Sequence, residues 1–437
     1  MSSREKFSGK LGFVLSCIGA AVGLGNIWMF PYRIGEYGGA AFLIPYLFFV
    51  FIFGTTGFLT EVSFGRALGT GSLSGIRQVF KDKNLKGYKI ISLIPTLALF
   101  GILVFYNVVV GWILKYFYLS LNGDILKLNP TEAFQNFVAT KESIFWNGLA
   151  IILTLSIVIF GITKGIEKLN KIIMPALFII FFLLTINSLS LPGASKGISY
   201  LFNPRWEYLL NVETWVMALG QAFFTISLTG CALVVYGSYL NKDINLISST
   251  INTAVFTTLS AILASLVIIP AVFAFDLDIA AGPSLLFITV PAMFKSMAFG
   301  RLISIVFFLS IIFAAISSSV VMLEGPVEAV ISHFNWSRKK STIVVSLVGF
   351  VLSIPLNLSM DVFSKFSDFI TIFLAPLGIL IVSIVFYWIY GYDKALNEIK
   401  LGSNRPLGKY YYYLSKYIFP IVTFSVIILG VVYGGIG

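Results

Sequence analysis

Long uncharged stretches rich in hydrophobic residues recur from one end of the chain to the other. Eleven of them reach the length of about 20 residues with which an α-helix crosses a bilayer. They cover residues 11–32, 37–60, 90–114, 143–163, 172–195, 214–241, 244–275, 302–323, 341–360, 369–392 and 417–437. The pattern therefore predicts an all-α membrane protein with eleven transmembrane helices.

One further uncharged stretch, residues 279–294, is too short to span a bilayer comfortably. It contains Gly282, Pro283 and Pro291, which interrupt a helix. We therefore expect a re-entrant segment or a loop hairpin there.

The composition excludes a soluble protein. Of the 437 residues, 58% are hydrophobic and only 11% are charged, against about 25% charged in an ordinary soluble domain. One soluble core could not hide that much apolar surface, whereas a lipid bilayer covers it. The bilayer is therefore the expected surrounding of most of the chain.

The placement of lysine and arginine indicates the orientation of the spans. If the N-terminus is cytoplasmic, alternate loops should be basic. Those loops and the N-terminus hold 20 of the 30 basic residues, in segments 4–10, 66–89, 163–171, 242–243, 336–340 and 393–409. Because eleven spans is an odd number, the C-terminus is expected outside. This bias explains the net charge of +11, so we expect no nucleic-acid partner.

Residues that carry catalytic or metal chemistry are scarce. The two cysteines, Cys17 and Cys231, lie in apolar spans and are expected to be free thiols. The only histidine, His333, lies at a helix end. An enzyme would need clustered acids or histidines inside the membrane, and a channel would need rings of polar residues along a pore. Neither pattern occurs, so we expect no enzyme.

The first span is interrupted near its middle. Gly23, Gly25 and Asn26 lie close together there, and Pro31 follows shortly. Small residues can serve close helix packing in membranes, but here they are contiguous rather than spaced along one face. The pattern favours a local break in the helix, whose freed backbone groups need polar partners.

The sixth span has a second interruption. The segment 221–231 places four polar side chains and a glycine in an otherwise apolar helix. Spans 1 and 6 begin two groups of five, so the breaks occupy corresponding positions of two halves. This arrangement is typical of transporters built from inverted repeats, which bind their substrate where both helices unwind. We expect one domain, residues 1–437, with repeats 11–195 and 213–392 and a last helix over 411–437.

Several motifs resemble the sodium:neurotransmitter symporter family. The run GFVLSCIGAAVGLGNIWMFPYRIGEYGGAAFLIP (12–45) is similar to the family's first helices, and GQAFFTISL (220–228) is similar to its sixth. Further matches are SYLNKD (238–243), the serines at 317–319, and Asp368 with Phe369. The resemblance implies a five-plus-five inverted repeat with unwound helices 1 and 6, in the eleven-helix bacterial amino-acid transporter branch. It also implies a multi-pass protein of the cell membrane, the inner membrane of a bacterium.

The resemblance implies one sodium ion between helices 1 and 8. The matching ligands are the carbonyls of Gly19, Val22 and Ala314 and the hydroxyls of Ser317 and Ser318. Five uncharged oxygens suit a monovalent ion that must later be released. Serines that only pack helices would instead bond to the preceding turn.

A second sodium site of the family lies between helices 1, 6 and 7. Its matching ligands are Ala21, Asn26, Thr225 and Thr257. This site departs from the family pattern, because Thr257 stands where an amide or an acid is usual.

Ala261, one turn after Thr257, stands where the family has an acid or a chloride-binding serine. Tyr46, Gln221 and Thr225 keep the rest of that region. Chloride dependence, weaker sodium binding and loss of the second site are the three alternatives that this departure leaves open.

The resemblance also implies the contacts of an amino-acid substrate. The carboxylate would meet the N–H groups of Leu24 and Gly25 and the hydroxyl of Tyr106. The residues implied around the ammonium group are Ala21, Phe224, Thr225 and Ser227. Gly23 leaves room for a substrate carboxylate, where amine-transporting relatives have an aspartate.

The substrate side chain would meet Ala20, Ile102, Gly230, Ser318 and Met322. Relatives usually have a bulky apolar residue at the position of Gly230. We therefore expect a pocket that is roomy at Gly230 and takes a large apolar or aromatic amino acid.

Two gates follow from the same resemblance. Outside, relatives pair an arginine with the acid that matches Asp368. This chain has Met29 at the arginine position, so Arg33, one helical turn further on, is the nearest candidate to pair with Asp368. Inside, Arg4 and Phe7 match the family's N-terminal latch, with Ser238 and Tyr239 beneath it. The acid that the family has on helix 8 is Ser332 in this chain, and Glu324, two turns earlier, is the candidate substitute for that acid.

The sequence thus predicts a sodium-coupled symporter of a neutral amino acid that works by alternating access. A sodium-independent or proton-linked carrier or exchanger on the same fold is the alternative, motivated by Thr257 and Ala261. The sequence defines no oligomeric state.

Overall fold

The computed structural model describes residues 5–277, 284–403 and 407–434. These residues form helices and no strands. Within this part of the chain, nine helices are long and apolar enough to cross a membrane, and one bent pair raises the number to ten. The prediction of an all-α membrane protein is confirmed.

The spans have the following bounds. Span 1 is Lys10–Ala21 with Gly25–Glu36, span 2 Ala40–Leu68, span 3 Tyr88–Asn122, span 4 Lys141–Val158, span 5 Ile162–Leu189, span 6 Val212–Thr225 with Ala232–Ser238, span 7 Leu246–Ala274, span 8 Gly300–Phe334, span 9 Arg338–Leu358, span 10 Met360–Lys400 and span 11 Tyr410–Val432. Shorter helices lie between them over Ser72–Asp82, Pro130–Phe137, Ala194–Phe202 and Leu285–Ser296.

Both predicted breaks are present. The two halves of span 1 meet at an angle of 58° across residues 22–24. Span 6 stops at Thr225 and resumes at Ala232, with Ser227 (φ 57°) and Gly230 (φ 76°) in the left-handed region between them. Because each half of span 6 is too short to cross a bilayer alone, the helix count of eleven and the boundaries of the two repeats stay predictions.

Several predicted boundaries are wrong, and three of them are instructive. Span 4 ends at Val158 rather than at 163, and span 5 begins at Ile162 rather than at 172, with Gly161 at φ 81° between them. Span 8 continues to Phe334, beyond the predicted end at 323, through the buried Glu324. The predicted span ended before Glu324 because a charged residue is unfavourable inside a membrane. The helix includes Glu324 because Arg338 neutralises its carboxylate.

The stretch predicted as a re-entrant segment or loop hairpin is partly helical. Leu285–Ser296 forms one short apolar helix rather than a hairpin, while Gly282 and Pro283 lie outside the described residues. Pro291 lies where the wider helical turn Leu285–Thr289 passes into the α-helix Val290–Ser296, and without an N–H it donates no bond to the preceding turn.

Polar side chains mark the starts of several spans. Asn211 accepts a hydrogen bond from the Glu213 N–H, and Asn245 accepts one from the Ser248 N–H. Ser337 does the same for the Lys340 N–H. Such N-caps satisfy backbone donors that a helix leaves unpaired at its start.

The interior of the bundle places the two broken spans side by side. Span 8 packs along span 3, the second half of span 6 packs on span 2, and the first half of span 1 contacts spans 5, 7 and 8. The backbone groups freed at the breaks therefore face neighbouring helices rather than lipid.

Candidate substrate and ion site

The break in span 1 directs carbonyl groups toward span 8. The Ser317 hydroxyl lies 2.9 Å from the Gly19 carbonyl oxygen and 2.8 Å from that of Ala314. The Ser318 hydroxyl lies 3.2 Å from the Gly19 oxygen and 3.3 Å from the Val22 oxygen. The structure thus brings all five predicted sodium ligands of the span 1/8 site together.

These five residues are buried. Their oxygens are hard, neutral ligands of the kind that alkali and alkaline-earth ions prefer. The cage can therefore hold one monovalent cation, and no formal negative charge would delay its release.

The predicted second sodium site is less complete. The Asn26 side-chain amide donates to the Ala21 carbonyl at 3.0 Å, while its oxygen is buried and has no hydrogen-bond partner among the described residues. The Thr257 hydroxyl donates within its own helix to Thr253 O at 2.7 Å. Position 261 is a fully buried alanine. It therefore supplies no carboxylate to balance the charge of a cation.

A chain of polar groups leads from this region to Arg33 on the second half of span 1. Gln221 donates to the Thr225 hydroxyl at 3.2 Å, and Tyr46 donates to the same hydroxyl at 3.4 Å. Arg33 donates to the Gln221 oxygen at 3.2 Å. Buried hydroxyl, amide and guanidinium donors of this kind can bind an anion as well as one another.

A cavity lies where the two breaks face each other. Its walls are mainly apolar and come from spans 1, 3, 6, 8, 10 and 11. Eight of the predicted substrate residues line it, namely Ala20, Ala21, Leu24, Ile102, Tyr106, Phe224, Ser318 and Met322. Ser227 is a ninth, and its hydroxyl donates to the Ala20 carbonyl at 3.0 Å.

Polar groups converge on one end of this cavity. The Tyr106 hydroxyl is buried beside the Ser318 side chain and the Leu24 backbone, and it forms no hydrogen bond of good geometry with either. A Cβ at Gly23 would lie 3.2 Å from it, so the hydroxyl sits directly beside the break. The first N–H groups of the second half of span 1, around Leu24 and Gly25, lack helical partners. Together they can bind an anionic group.

The ring of Phe224 covers the backbone of span 1. A Cβ at Gly25 would collide with this ring, so only glycine permits the observed approach. The ring thereby closes one side of the cavity.

The expectation of extra room at Gly230 is wrong. Gly230 has φ 76°, and a Cβ there would collide with the backbone of Gly378 in span 10. The missing side chain makes way for a neighbouring helix, not for a ligand. The cavity is instead lined nearby by Thr229 and Ala232.

Glu61 on span 2 is a site residue that sequence reasoning missed. Its carboxylate accepts hydrogen bonds from the backbone N–H groups of Thr229 (2.9 Å), Gly230 (2.8 Å) and Leu233 (3.2 Å). It thus holds the unwound part of span 6 and caps the helix that follows. The sequence signal that could have identified it is a single acid beside an apolar stretch, because burying a carboxylate in a membrane costs free energy unless it has partners.

The structure does not bring together Asp368 and Arg33, the two residues predicted for the outer gate. Arg33 is buried and donates to Gln221, whereas Asp368 is exposed. The Asp368 carboxylate takes part in no ion pair with Arg33 in the described ranges.

The described residues predicted for the inner gate form one connected network. The Phe7 N–H donates to the Tyr239 carbonyl at 3.1 Å, and the Tyr239 hydroxyl donates to Glu324 at 2.6 Å. Arg338, which the sequence suggested only as a basic loop residue, forms a bidentate pair with Glu324 at 2.9–3.1 Å. Glu324 therefore lies where the sequence predicted a substitute for the acid of this gate, paired with both Tyr239 and Arg338. Arg4, the remaining predicted latch residue, lies outside the described residues.

A membrane-spanning bundle with two broken helices facing a buried cavity defines a membrane transporter. Groups of three or more histidine, cysteine or acidic side chains suited to a metal do not occur in the described ranges. The chain belongs to the sodium:neurotransmitter symporter family, which it matches over residues 4–136 and 125–434.

Similar proteins come from both bacteria and animals. The uncharacterized sodium-dependent transporter YhdH of Bacillus subtilis is 33% identical over 437 residues, with 95% of each chain covered. The sodium-dependent serotonin transporter of Drosophila melanogaster is 26% identical, covering 98% of this chain and 76% of its own. The crystal structure of MhsT in complex with L-phenylalanine has a TM-score of 0.87 and 36% identity, covering 98% of this chain and 100% of MhsT.

These comparisons confirm the family resemblance and a multi-pass membrane transporter, rather than an enzyme. They also support sodium coupling as the property of the family to which the chain belongs.

Proposed function

We propose that the protein is a sodium-coupled symporter of a neutral amino acid with a large apolar or aromatic side chain, working by alternating access. The observation that carries the proposal is the cavity between the two breaks, which adjoins the cage of five oxygens. Ser318 belongs to both, so an ion bound in the cage stiffens a wall of the cavity.

The two ends of the cavity suit the two ends of such a substrate. The Tyr106 hydroxyl and the helix N-terminus near Gly25 would bind the carboxylate. Carbonyl oxygens of Ala21, Phe224 and Thr225 would face the ammonium group. Ile102 and Met322 belong to the apolar remainder of the wall, which favours an apolar side chain. MhsT, with L-phenylalanine bound, is a precedent for this substrate class.

The span 1/8 cage is proposed as the principal coupling site. At the span 1/6/7 site, Asn26 would supply an oxygen, but Thr257 bonds to its own helix and Ala261 adds no acid. We therefore propose weaker sodium binding there, with chloride at Tyr46, Gln221 and Thr225 as a further candidate.

A sodium-independent or proton-linked carrier is the second candidate, and the same departure at Thr257 and Ala261 motivates it. One experiment separates the two. Thermal stabilisation of the purified protein by each of the twenty amino acids would be measured in sodium chloride, sodium gluconate and potassium chloride. We expect the largest shift from an aromatic or large apolar amino acid in sodium. Equal stabilisation in potassium would exclude sodium symport, and equal responses in chloride and gluconate would exclude chloride.

Ser317→Ala is the matching variant, since it removes one hydroxyl of the cage. Ser310→Ala is its control: Ser310 is also a buried serine of span 8 whose hydroxyl donates three residues back, to Phe307 O at 2.6 Å, as that of Ser317 does to Ala314 O. Unlike Ser317, it makes no hydrogen bond to span 1 in the described residues. Sodium dependence should weaken in the first variant and persist in the second.

We also propose that the inner gate faces the cytoplasm, with the N-terminus inside and the C-terminus outside. A cysteine introduced at the exposed Lys400 should then react with an impermeant maleimide only from the cytoplasmic side. Cys17 and Cys231 are buried, which keeps the background low. Labelling from the outside would reverse the orientation.

A further inference from the structure

Asn170 on span 5 has an unused oxygen in the protein interior. The residue is fully buried, and its side-chain amide nitrogen donates to the Ile166 carbonyl at 2.9 Å. Its Oδ1 has no hydrogen-bond partner among the described residues. A flip of the amide would turn the oxygen toward the Ile166 carbonyl, so the bond to Ile166 fixes which atom is left over.

The unused oxygen lies against the proposed sodium cage. A Cβ at Gly19 would overlap Asn170 Oδ1 and would stand 3.1 Å from the Cβ of Ser317. Gly19 and Ser317 are both cage residues, and the Gly19 carbonyl accepts from Ser317 and Ser318. Gly19 is therefore the point at which spans 1, 5 and 8 meet, and its lack of a side chain makes room for the Asn170 oxygen.

The position of this unpaired oxygen, against a residue of the cation cage, points to a ligand rather than to packing alone. Leaving a buried carbonyl oxygen unpaired is costly, and a side chain such as leucine would fill the same volume without that cost. A hard oxygen with free lone pairs beside a cation cage is the arrangement that stabilises a cation or the water bound to it.

We propose that Asn170 is a positioning residue of the sodium site, whose Oδ1 accepts a hydrogen bond from a water molecule bound to the ion. The water would be a sixth oxygen on the span 5 side of the cage. The inference rests on the proposed sodium site between spans 1 and 8. Asn170 is not itself a ligand of the ion in this proposal, because its Oδ1 packs against Gly19 and not against the hydroxyls of the two serines.

The test measures the sodium concentration that gives half of the maximal thermal stabilisation, with sodium replaced by choline at constant ionic strength. Unfolding is followed with a maleimide dye that reacts with the buried Cys17 and Cys231. This readout needs no identified substrate. Asn170→Leu should raise the half-saturating sodium concentration about five-fold, the amount expected for one lost hydrogen bond. Asn170→Asp should lower it, since a carboxylate attracts the cation.

Asn147→Leu is the matched control. Asn147 is also a fully buried asparagine whose Oδ1 has no partner in the described part of the chain, but its amide contacts Ser353 on span 9. It should leave the half-saturating concentration unchanged. A merely structural role of Asn170 would lower the unfolding temperature in both asparagine variants and would not reverse the sodium effect between leucine and aspartate.

Ser317→Ala separates the two levels of the proposal. If Ser317→Ala weakens sodium binding and Asn170→Leu does not, the role of Asn170 is refuted and the sodium site stands. If Ser317→Ala has no effect either, the span 1/8 sodium site itself is refuted, and with it the role of Asn170.

Discussion

The contact between Glu61 and the unwound part of span 6 makes Glu61→Gln an informative variant. As a carboxylate, Glu61 accepts three backbone N–H groups, two at Oε1 and one at Oε2. Glutamine keeps one acceptor oxygen, so its NH₂ group must face at least one N–H donor.

The structure sets the size of the effect. Hydrogen bonds to a charged group contribute about 1.5–3 kcal/mol each, and neutral ones about 1 kcal/mol. Glu61→Gln would weaken two bonds at Oε1, lose the bond from Leu233 at 3.2 Å, and leave that N–H buried. We expect a loss of about 2–4 kcal/mol in the free energy of unfolding. Because Thr229 and Gly230 lie at the cavity and its rim, uptake of the preferred amino acid should fall as well.

The assay is thermal unfolding of purified protein with the maleimide dye, together with uptake into proteoliposomes. Glu142→Gln is the control, because Glu142 is half-exposed and pairs with Lys115 at the surface. That pair should contribute less than about 1 kcal/mol. If Glu61→Gln unfolds at the same temperature as Glu142→Gln and transports normally, the carboxylate does not hold span 6.

Gly25→Ala should weaken binding of the amino acid at least about ten-fold, because the new methyl group collides with the ring of Phe224 and displaces it. Gly9→Ala is the control and should bind normally, because Gly9 has open space around it. Equal affinities of the two variants would refute the role of the ring. Arg338→Gln should destabilise the inward-closed gate by about 3–5 kcal/mol, because it leaves the buried carboxylate of Glu324 without its cation. Cytoplasmic labelling of an introduced cysteine would report the opening. The double variant Arg338→Gln/Glu324→Gln should restore closure, and failure to do so would show that charge is not the cause.

Much of the fold was predictable because its signals are local. A run of about 20 apolar residues identifies a span wherever it lies, and glycines beside Asn26 identify a break without reference to any partner. The same holds for the polar segment of span 6. The ends of spans were predicted less well, since span 8 continues through Glu324, and the sequence does not say that Arg338 will neutralise it.

The site divides in the same way. Family resemblance named the five cage residues, and the structure places their oxygens within hydrogen-bond distance of one another. Gly230 was misread, since a glycine that admits a ligand and one that admits Gly378 look alike in a sequence. Arg33 was expected at Asp368 but donates to Gln221, because reach along one helix does not decide which neighbour faces it.

The sequence by itself determined the membrane setting, the two helix breaks and the family. Those follow from hydropathy, glycine and motif, which are properties of neighbouring residues. Only the tertiary structure decided which buried polar groups meet: Glu61 with span 6, Glu324 with Arg338, and Asn170 beside Gly19. The physical reason is that a buried polar group is stabilised by a partner that is distant in the chain, and the packing of the spans selects that partner.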